Sequence, residues 1–201
     1  MDFKKIKAKL ESLGYSVTCF DTADAAADYL DENIQDKTVG FGGSVTLEQM
    51  GLYDRLALNN EVFYHNRLPG GMTKAEVCKK AGAAQVYLSS VNALAESGEI
   101  INIDGNCNRV ASMLFGHEKV YFVVGENKIA KDCDSAVWRA KNIAAPKNAQ
   151  RVKAKTPCAI KADKCYNCDS NNRICRALSV LWAAPLRGDF EIVLIHEELG
   201  F

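Results

Sequence analysis

The sequence predicts a three-layer α/β protein, with a mostly parallel sheet covered by helices on both faces. Short apolar runs alternate with amphipathic stretches along the 201 residues. Two of the runs, VYFVVG (120–125) and EIVLIH (191–196), are apolar almost throughout, as in strands buried on both faces. The composition, 48% hydrophobic and 25% charged, supplies one well-packed core and too little chain for two generous domains.

Each element has its own signal. Phe3, Ile6, Leu10 and Leu13 recur at helical spacing, and Gly14 follows as a C-cap. The β-branched and aromatic run at 15–20 predicts a first strand. Thr22 opens an Ala-rich helix with Tyr29, Leu30 and Ile34 on its apolar side. Residues 38–41 form a short buried strand that runs into Gly42-Gly43-Ser44, and Ser44 caps a helix beginning near Val45. Thr73 and Glu76 make a capping box before Val77-Cys78. Strands are expected at 85–89, 100–104, 120–124 and 191–196, and a helix at 134–145 with Val137, Trp138 and Ile143 in the core. The stretch 151–176 breaks this rhythm, being rich in Lys, Asn and Asp with little apolar periodicity. The expectation is a single domain over 1–201 with a cysteine-rich excursion at about 151–176.

Charge excludes some partners. Lys plus Arg equals Asp plus Glu, 25 each, so nothing marks a nucleic-acid or anionic membrane surface. The first residues, MDFKKIKAKLESLGY, enter an amphipathic helix without the apolar run of a signal peptide. The longest apolar stretches fall far short of the roughly 20 residues that span a bilayer. A cytoplasmic protein is expected, with its eight cysteines mostly reduced.

The glycines at 40–44 sit between a strand end and a helix start. There the backbone can curl its N–H groups inward, and the helix terminus adds partial positive charge. Gly42, Gly43 and Ser44 are therefore candidates for holding a carboxylate or phosphate, although a ligand-free βα turn has the same composition. The spacing matches neither the phosphate-binding P-loop nor the dinucleotide fingerprint. Farther along, Asn92, Glu96, Asp104, Asn108 and Arg109 crowd near strand ends, where turns also favour Asn and Asp. Arg109 could fork a carboxylate, and Glu96 or Asp104 could act as base. Lys128, after Gly125, is a further candidate anion contact, although an exposed lysine with no role is the commoner case. His65, His117 and His196 are isolated in sequence, Trp138 and Trp182 read as core or interface, and Cys19, Cys78, Cys107 and Cys133 as small buried hydrophobes.

The remaining cysteines form a C-x6-C-x2-C-x6-C array: Cys158, Cys165, Cys168 and Cys175. The residues between them are turn formers that cannot build a core, so the loop needs another source of order. A bound metal supplies about 10 kcal/mol or more in small zinc domains. Four thiolates suit zinc or an iron–sulfur cluster equally, with a redox dithiol or inert thiols as alternatives. Arg173 and Arg176 would offset the thiolate charge.

Taken together, GFGGSVTLEQMGL (40–52), NALAESGEIINIDGNCNRVASMLFG (92–116), KVYFVVGENKI (119–129), AAPKNAQR (144–151), TPC (156–158) and EELGF (197–201) resemble the LUD-domain family, the lactate-utilisation family related to lactate utilization protein C. Two positions depart from its common pattern: Ala95 stands where threonine is usual, and Cys107 where a second glycine is usual. The first removes a hydroxyl from the presumed pocket and the second alters a backbone contact. The resemblance implies a fold like that of the glucosamine-phosphate isomerase (NagB), ribose-phosphate isomerase (RpiA) and CoA-transferase group, with the glycine loop facing the ligand. It also implies a part in oxidising L-lactate to pyruvate alongside iron–sulfur partner proteins. Beside this stand a non-redox enzyme of sugar-phosphate isomerase or CoA-transferase type with structural zinc, and a ligand-binding regulatory subunit.

Overall fold

The computed structural model describes residues 2–201. Helix α1 (Lys4–Ser12) leads into β1 (Ser16–Phe20), followed by α2 (Ala23–Asn33), β2 (Thr38–Phe41), α3 (Val45–Gln49), α4 (Leu52–Leu56) and β3 (Glu61–Tyr64). Next come α5 (Lys74–Gly82), β4 (Val86–Ser90), β5 (Ala93–Ala95), β6 (Ile100–Asp104), α6 (Asn108–Leu114), β7 (Lys119–Gly125) and β8 (Ile129–Ala130). The chain closes with α7 (Cys133–Arg139), α8 (Ala145–Arg151), α9 (Pro157–Lys161), β9 (Ala177–Leu181) and β10 (Asp189–Ile195).

Six strands form an all-parallel sheet in the order β1-β10-β7-β4-β2-β3. Because strand side chains alternate faces, its apolar runs divide between two cores. Val120, Phe122, Val124, Ile192 and Leu194 join α1 and α5 on one face. Tyr121, Val123, Val193 and Ile195 join α2, α3 and α4 on the other. This is the three-layer arrangement that the continuous apolar strands predict.

A second sheet, β8-β5-β6-β9, was not foreseen. Its strands are short, and β5 is the three residues Ala93–Ala95, whose alanines carry no strand signal of their own. Ala93, Ala95 and Ile101 pack instead against Ala136 and Ala140 of the helical layer. Small residues let a helix approach a sheet closely. Ala95 is fully buried in that cluster, so the threonine position of the family pattern belongs to packing rather than to a pocket.

The helix expected over 134–145 continues through 133–151, with a π turn at Ala140–Ala144 between α7 and α8. Pro146 has no N–H to return to the carbonyl four residues earlier, and the wide turn ahead of it accommodates that loss. Trp138 lies on the solvent side at 59% exposure, and Trp182 is also exposed. The expected core place for Trp138 thus falls to its small neighbours Ala136 and Ala140. Cys19 and Cys107 are exposed, and Cys78 and Cys133 half-buried, so none is the fully buried filler expected. Among the described residues no helix is long and apolar enough to cross a membrane. Residues 162–176, between α9 and β9, run without helix or strand.

Candidate functional site

All strands of the main sheet point the same way, so the loops after β2, β4 and β7 emerge at one edge, the carboxyl edge where open α/β sheets bind ligands. A cleft of about 360 Å³ lies there. Gly43 and Ser44 from the glycine loop, Ser90 and Asn92 after β4, Lys128 after β7, and Asp104, Asn108 and Arg109 from the β6–α6 turn all line it. Gly43, Ser44, Ser90, Asn92 and Lys128 meet because the parallel strands bring their ends together, and the end of β6 in the second sheet adds Asp104, Asn108 and Arg109. His65, Arg151, Arg173 and Arg176 complete the rim.

Lys128 is the chemical centre of this arrangement. Its side chain is only 3% exposed. Its Nζ donates to Thr46 Oγ1 and Ser90 Oγ, each at 2.7 Å. Hydroxyls satisfy its protons without neutralising its charge. Burial, and then the nearby Arg139 and Arg109 guanidinium groups, push its pKa down to about 7. Near neutral pH this lysine stands between ammonium and amine, able to hold an anion in one form and take a proton in the other. Gly200 closes over it: its φ is +67°, and a Cβ there would fall 2.6 Å from Thr46 Oγ1 and 3.2 Å from Lys128 Nζ.

Arg109 does not play the part expected. Its Nη1 donates to Ser90 O and Asn102 Oδ1, and its Nη2 to Asn92 Oδ1 and Ile103 O. With those donors engaged by the protein, it ties β4, β5 and β6 together and supplies positive field rather than a free fork for a carboxylate. Asn92 is equally structural: its Oδ1 also accepts from Ile103 N at 2.7 Å. Asp104 Oδ2 accepts from Val110 N and so caps α6. Asn108 lies 3.7 Å from Cys78 Sγ through its Nδ2.

Gly42 packs behind the cleft, where a Cβ would meet Ser89 Oγ at 2.8 Å and Arg109 Cγ at 3.0 Å. Ser44 Oγ caps α3 through Leu47 N. Glu96 is exposed in the β5–β6 turn and does not line the cleft, because β5 carries it away from the carboxyl edge of the main sheet. Its backbone N–H goes to Ala130 O.

His65 joins the site although nothing in its sequence neighbourhood announces it. Its ring would lie 3.3 Å from a Cβ at Gly43. Burial, and then the cations Lys74 and Arg151, depress its pKa below the ordinary imidazole value. His117 and His196 lie elsewhere, stacked on Tyr87 and Phe3. Arg151 carries only the amide signal of Asn148, whose Oδ1 accepts from its Nε and Nη2. Only the fold places Arg151 at the rim.

Cys158, Cys165, Cys168 and Cys175 are free thiols, all half-buried, and all line a second cavity of about 320 Å³. Among the described residues no three His, Cys, Asp or Glu side chains stand close enough to share one metal ion. Ile103, Ala145, Arg173, Ile174 and Arg176 belong to the walls of both cavities.

An all-parallel three-layer sheet with a cleft at its carboxyl edge lined by Lys128, Arg109, Arg151, Arg173 and Arg176 defines the class, an α/β domain with a cation-lined cleft. A family model for the LUD domain matches residues 3–195, and the chain belongs to that family, which is associated with lactate utilisation. In fold it is similar to the crystal structure of a DUF162-family protein from Deinococcus radiodurans, at 12% identity and a TM-score of 0.53 over 95% of this chain and 94% of that one. No curated protein matches the chain.

Proposed function

We propose that this protein is the carboxylate-binding component of an L-lactate oxidation system, acting in the cytoplasm with iron–sulfur partner proteins. The observation that carries the proposal is buried Lys128, charged or poised to be charged, held by two hydroxyls and facing a cleft rimmed by Arg151, Arg173 and Arg176. A carboxylate entering there supplies the negative charge that Lys128 lacks. Oxidation of lactate releases two electrons and two protons; the electrons are assigned to the iron–sulfur partners, and the binding and orientation to this cleft. Family membership supports the substrate class, and eight unpaired cysteines suit a reducing compartment.

One observation favours a second reading. Among the described residues the cationic side chains of the cleft outnumber its one acidic side chain, Asp104, by more than a monocarboxylate requires. A phosphorylated ligand, as in a sugar-phosphate isomerase or CoA-transferase type of enzyme, would use the surplus. Thermal unfolding in the presence of L-lactate, pyruvate, inorganic phosphate or a sugar phosphate separates the two. The proposal predicts stabilisation by lactate or pyruvate that Lys128→Met abolishes. Stabilisation by the phosphorylated ligands alone would replace it with the second reading.

A further inference from the structure

The four cysteines of residues 158–175 end on one cavity although the segment holding them has almost no apolar side chains. Between α9 and β9 only Ala162, Tyr166 and Ile174 are of that kind. Polar chain of this sort does not bury enough surface to order itself. Its ends are nevertheless fixed. Cys158 lies in α9, and its Sγ is 3.3 Å from Thr156 Oγ1. Cys165 N donates to Asn142 Oδ1, and Arg176 N to Asp104 O, the residue that opens the β6–β9 pairing. Cys158, Cys165 and Cys175 therefore reach the cavity from separately anchored backbone.

The space they surround is larger than one ion. Four sulfurs on a single zinc lie about 2.3 Å from it and so within about 3.8 Å of one another. No three ligating side chains approach that arrangement, while the cavity is about 320 Å³ and mainly apolar-walled, with Ile103, Pro146 and Leu178 among its residues. Hydrogen-bond donors face the sulfurs: Asn167 N lies 3.4 Å from Cys165 Sγ, and the Arg173 guanidinium lies against Cys175. The Arg173 Nε is buried without a partner. Thiols spread around a mainly apolar space wider than one ion, with an N–H group turned towards Cys165 and a guanidinium towards Cys175, fit a polynuclear group.

We propose that Cys158, Cys165, Cys168 and Cys175 ligate an iron–sulfur cluster in this second cavity, and that the loaded segment holds Arg173 and Arg176 at the wall of the anion cleft. The second half rests on the anion-binding reading above. The coupling follows from close packing. A Cβ at Gly105, beside Asp104 in the cleft, would fall 2.9 Å from the carbonyl oxygen of Ile174, which stands between Arg173 and Cys175. A shift of the cysteine loop is thus a shift of the cleft wall.

The test uses the full chain, purified anaerobically and then incubated with ferrous and ferric iron plus sulfide. Expected are iron and sulfide in equimolar amounts and broad visible absorption. Alkylation followed by mass spectrometry should show Cys158, Cys165, Cys168 and Cys175 shielded, while exposed Cys19 and Cys107 react. Cys165→Ser should lower the iron content several-fold, and Cys133→Ser should leave it unchanged. If Cys165→Ser fails to fold, the shielding pattern of the wild-type chain still decides. About one tightly held zinc per chain that iron and sulfide do not displace, or four thiols that react as fast as Cys19, would overturn the cluster. L-Lactate and inorganic phosphate are then titrated into loaded and iron-free chain. Binding roughly tenfold or more tighter to the loaded form supports the coupling, and equal affinities reject it. If neither form binds an anion, the reading of the cleft fails while the iron and sulfide content still speaks for the cluster.

Discussion

Lys128 sets the pH behaviour of the cleft. Its folded pKa, about 7, lies below the ordinary lysine value of 10.5. Anion binding should therefore be strongest below pH 7 and weaken as pH rises through that value, by up to about tenfold per pH unit beyond it. The same depression makes the ligand-free protein gain stability between about pH 7 and about pH 10, where the unfolded chain binds the extra proton. Calorimetric titration of the anion across this range checks the first expectation and chemical denaturation the second. His65, whose pKa is depressed from 6.5, does not generate a step at 7. Arg109→Met removes one of the charges that depress Lys128, so the binding step should move to higher pH. It also leaves Ser90 O, Ile103 O and two amide oxygens without that donor, and should destabilise the fold by about 1–3 kcal/mol or more. A variant that keeps both the unfolding midpoint and the pH step would refute this placement of Arg109.

At the scale of elements, two backbone positions carry sharp expectations. Gly40 in β2 lies under the last turn of α5, where a Cβ would fall 2.3 Å from the carbonyl oxygen of Ala81 and 2.8 Å from Tyr87 Cδ2. Gly40→Ala must push helix from sheet, at about 1–3 kcal/mol, read as a fall in denaturation midpoint. Cys107, N-cap of α6, has φ +63°, in the left-handed region that favours glycine. The departure from the family pattern is thus one of backbone conformation. Cys107→Gly should raise stability by about 1 kcal/mol, and an unchanged or lowered midpoint would refute the strain. Strands β2 and β6 were legible to the residue because each combines an apolar run with a clear stop. The second sheet was not, since β5, β8 and β9 are short or lack a periodic apolar face, and their partners come from distant chain. Helix α6 was hidden for a related reason: its cap is the side chain of Asp104, outside the usual spacing.

For the whole molecule, a parallel sheet converts scattered turn residues into one site. Gly43, Ser44, Asn92, Asp104, Asn108, Arg109 and Lys128 were each visible as residues near strand ends; the common direction of the main-sheet strands brings Gly43, Ser44, Asn92 and Lys128 to one cleft, and the end of β6 brings the other three. Their separate roles were not visible. A fork of N–H groups reads the same in sequence whether it meets a ligand or, as in Arg109, four protein oxygens. Likewise the commoner reading of Lys128 was an exposed cation, and only the fold shows its burial beneath Gly200 and beside Thr46. Glu96 failed to reach the cleft because it lies in the β5–β6 turn, at the opposite end of β6 from Asp104. The same geometry joins the cysteine cavity to the anion cleft through Arg173, Ile174 and Arg176.

Whether Lys128 holds the anion is decided by isothermal titration of L-lactate, pyruvate and inorganic phosphate into the wild-type chain and Lys128→Met, from about pH 6 to about pH 9. Lactate or pyruvate should bind the wild type with an affinity that weakens above about pH 7. The folded variant should lose that binding and its pH step together. Equal binding to both proteins, or a wild-type affinity that does not change with pH, would contradict that role for Lys128.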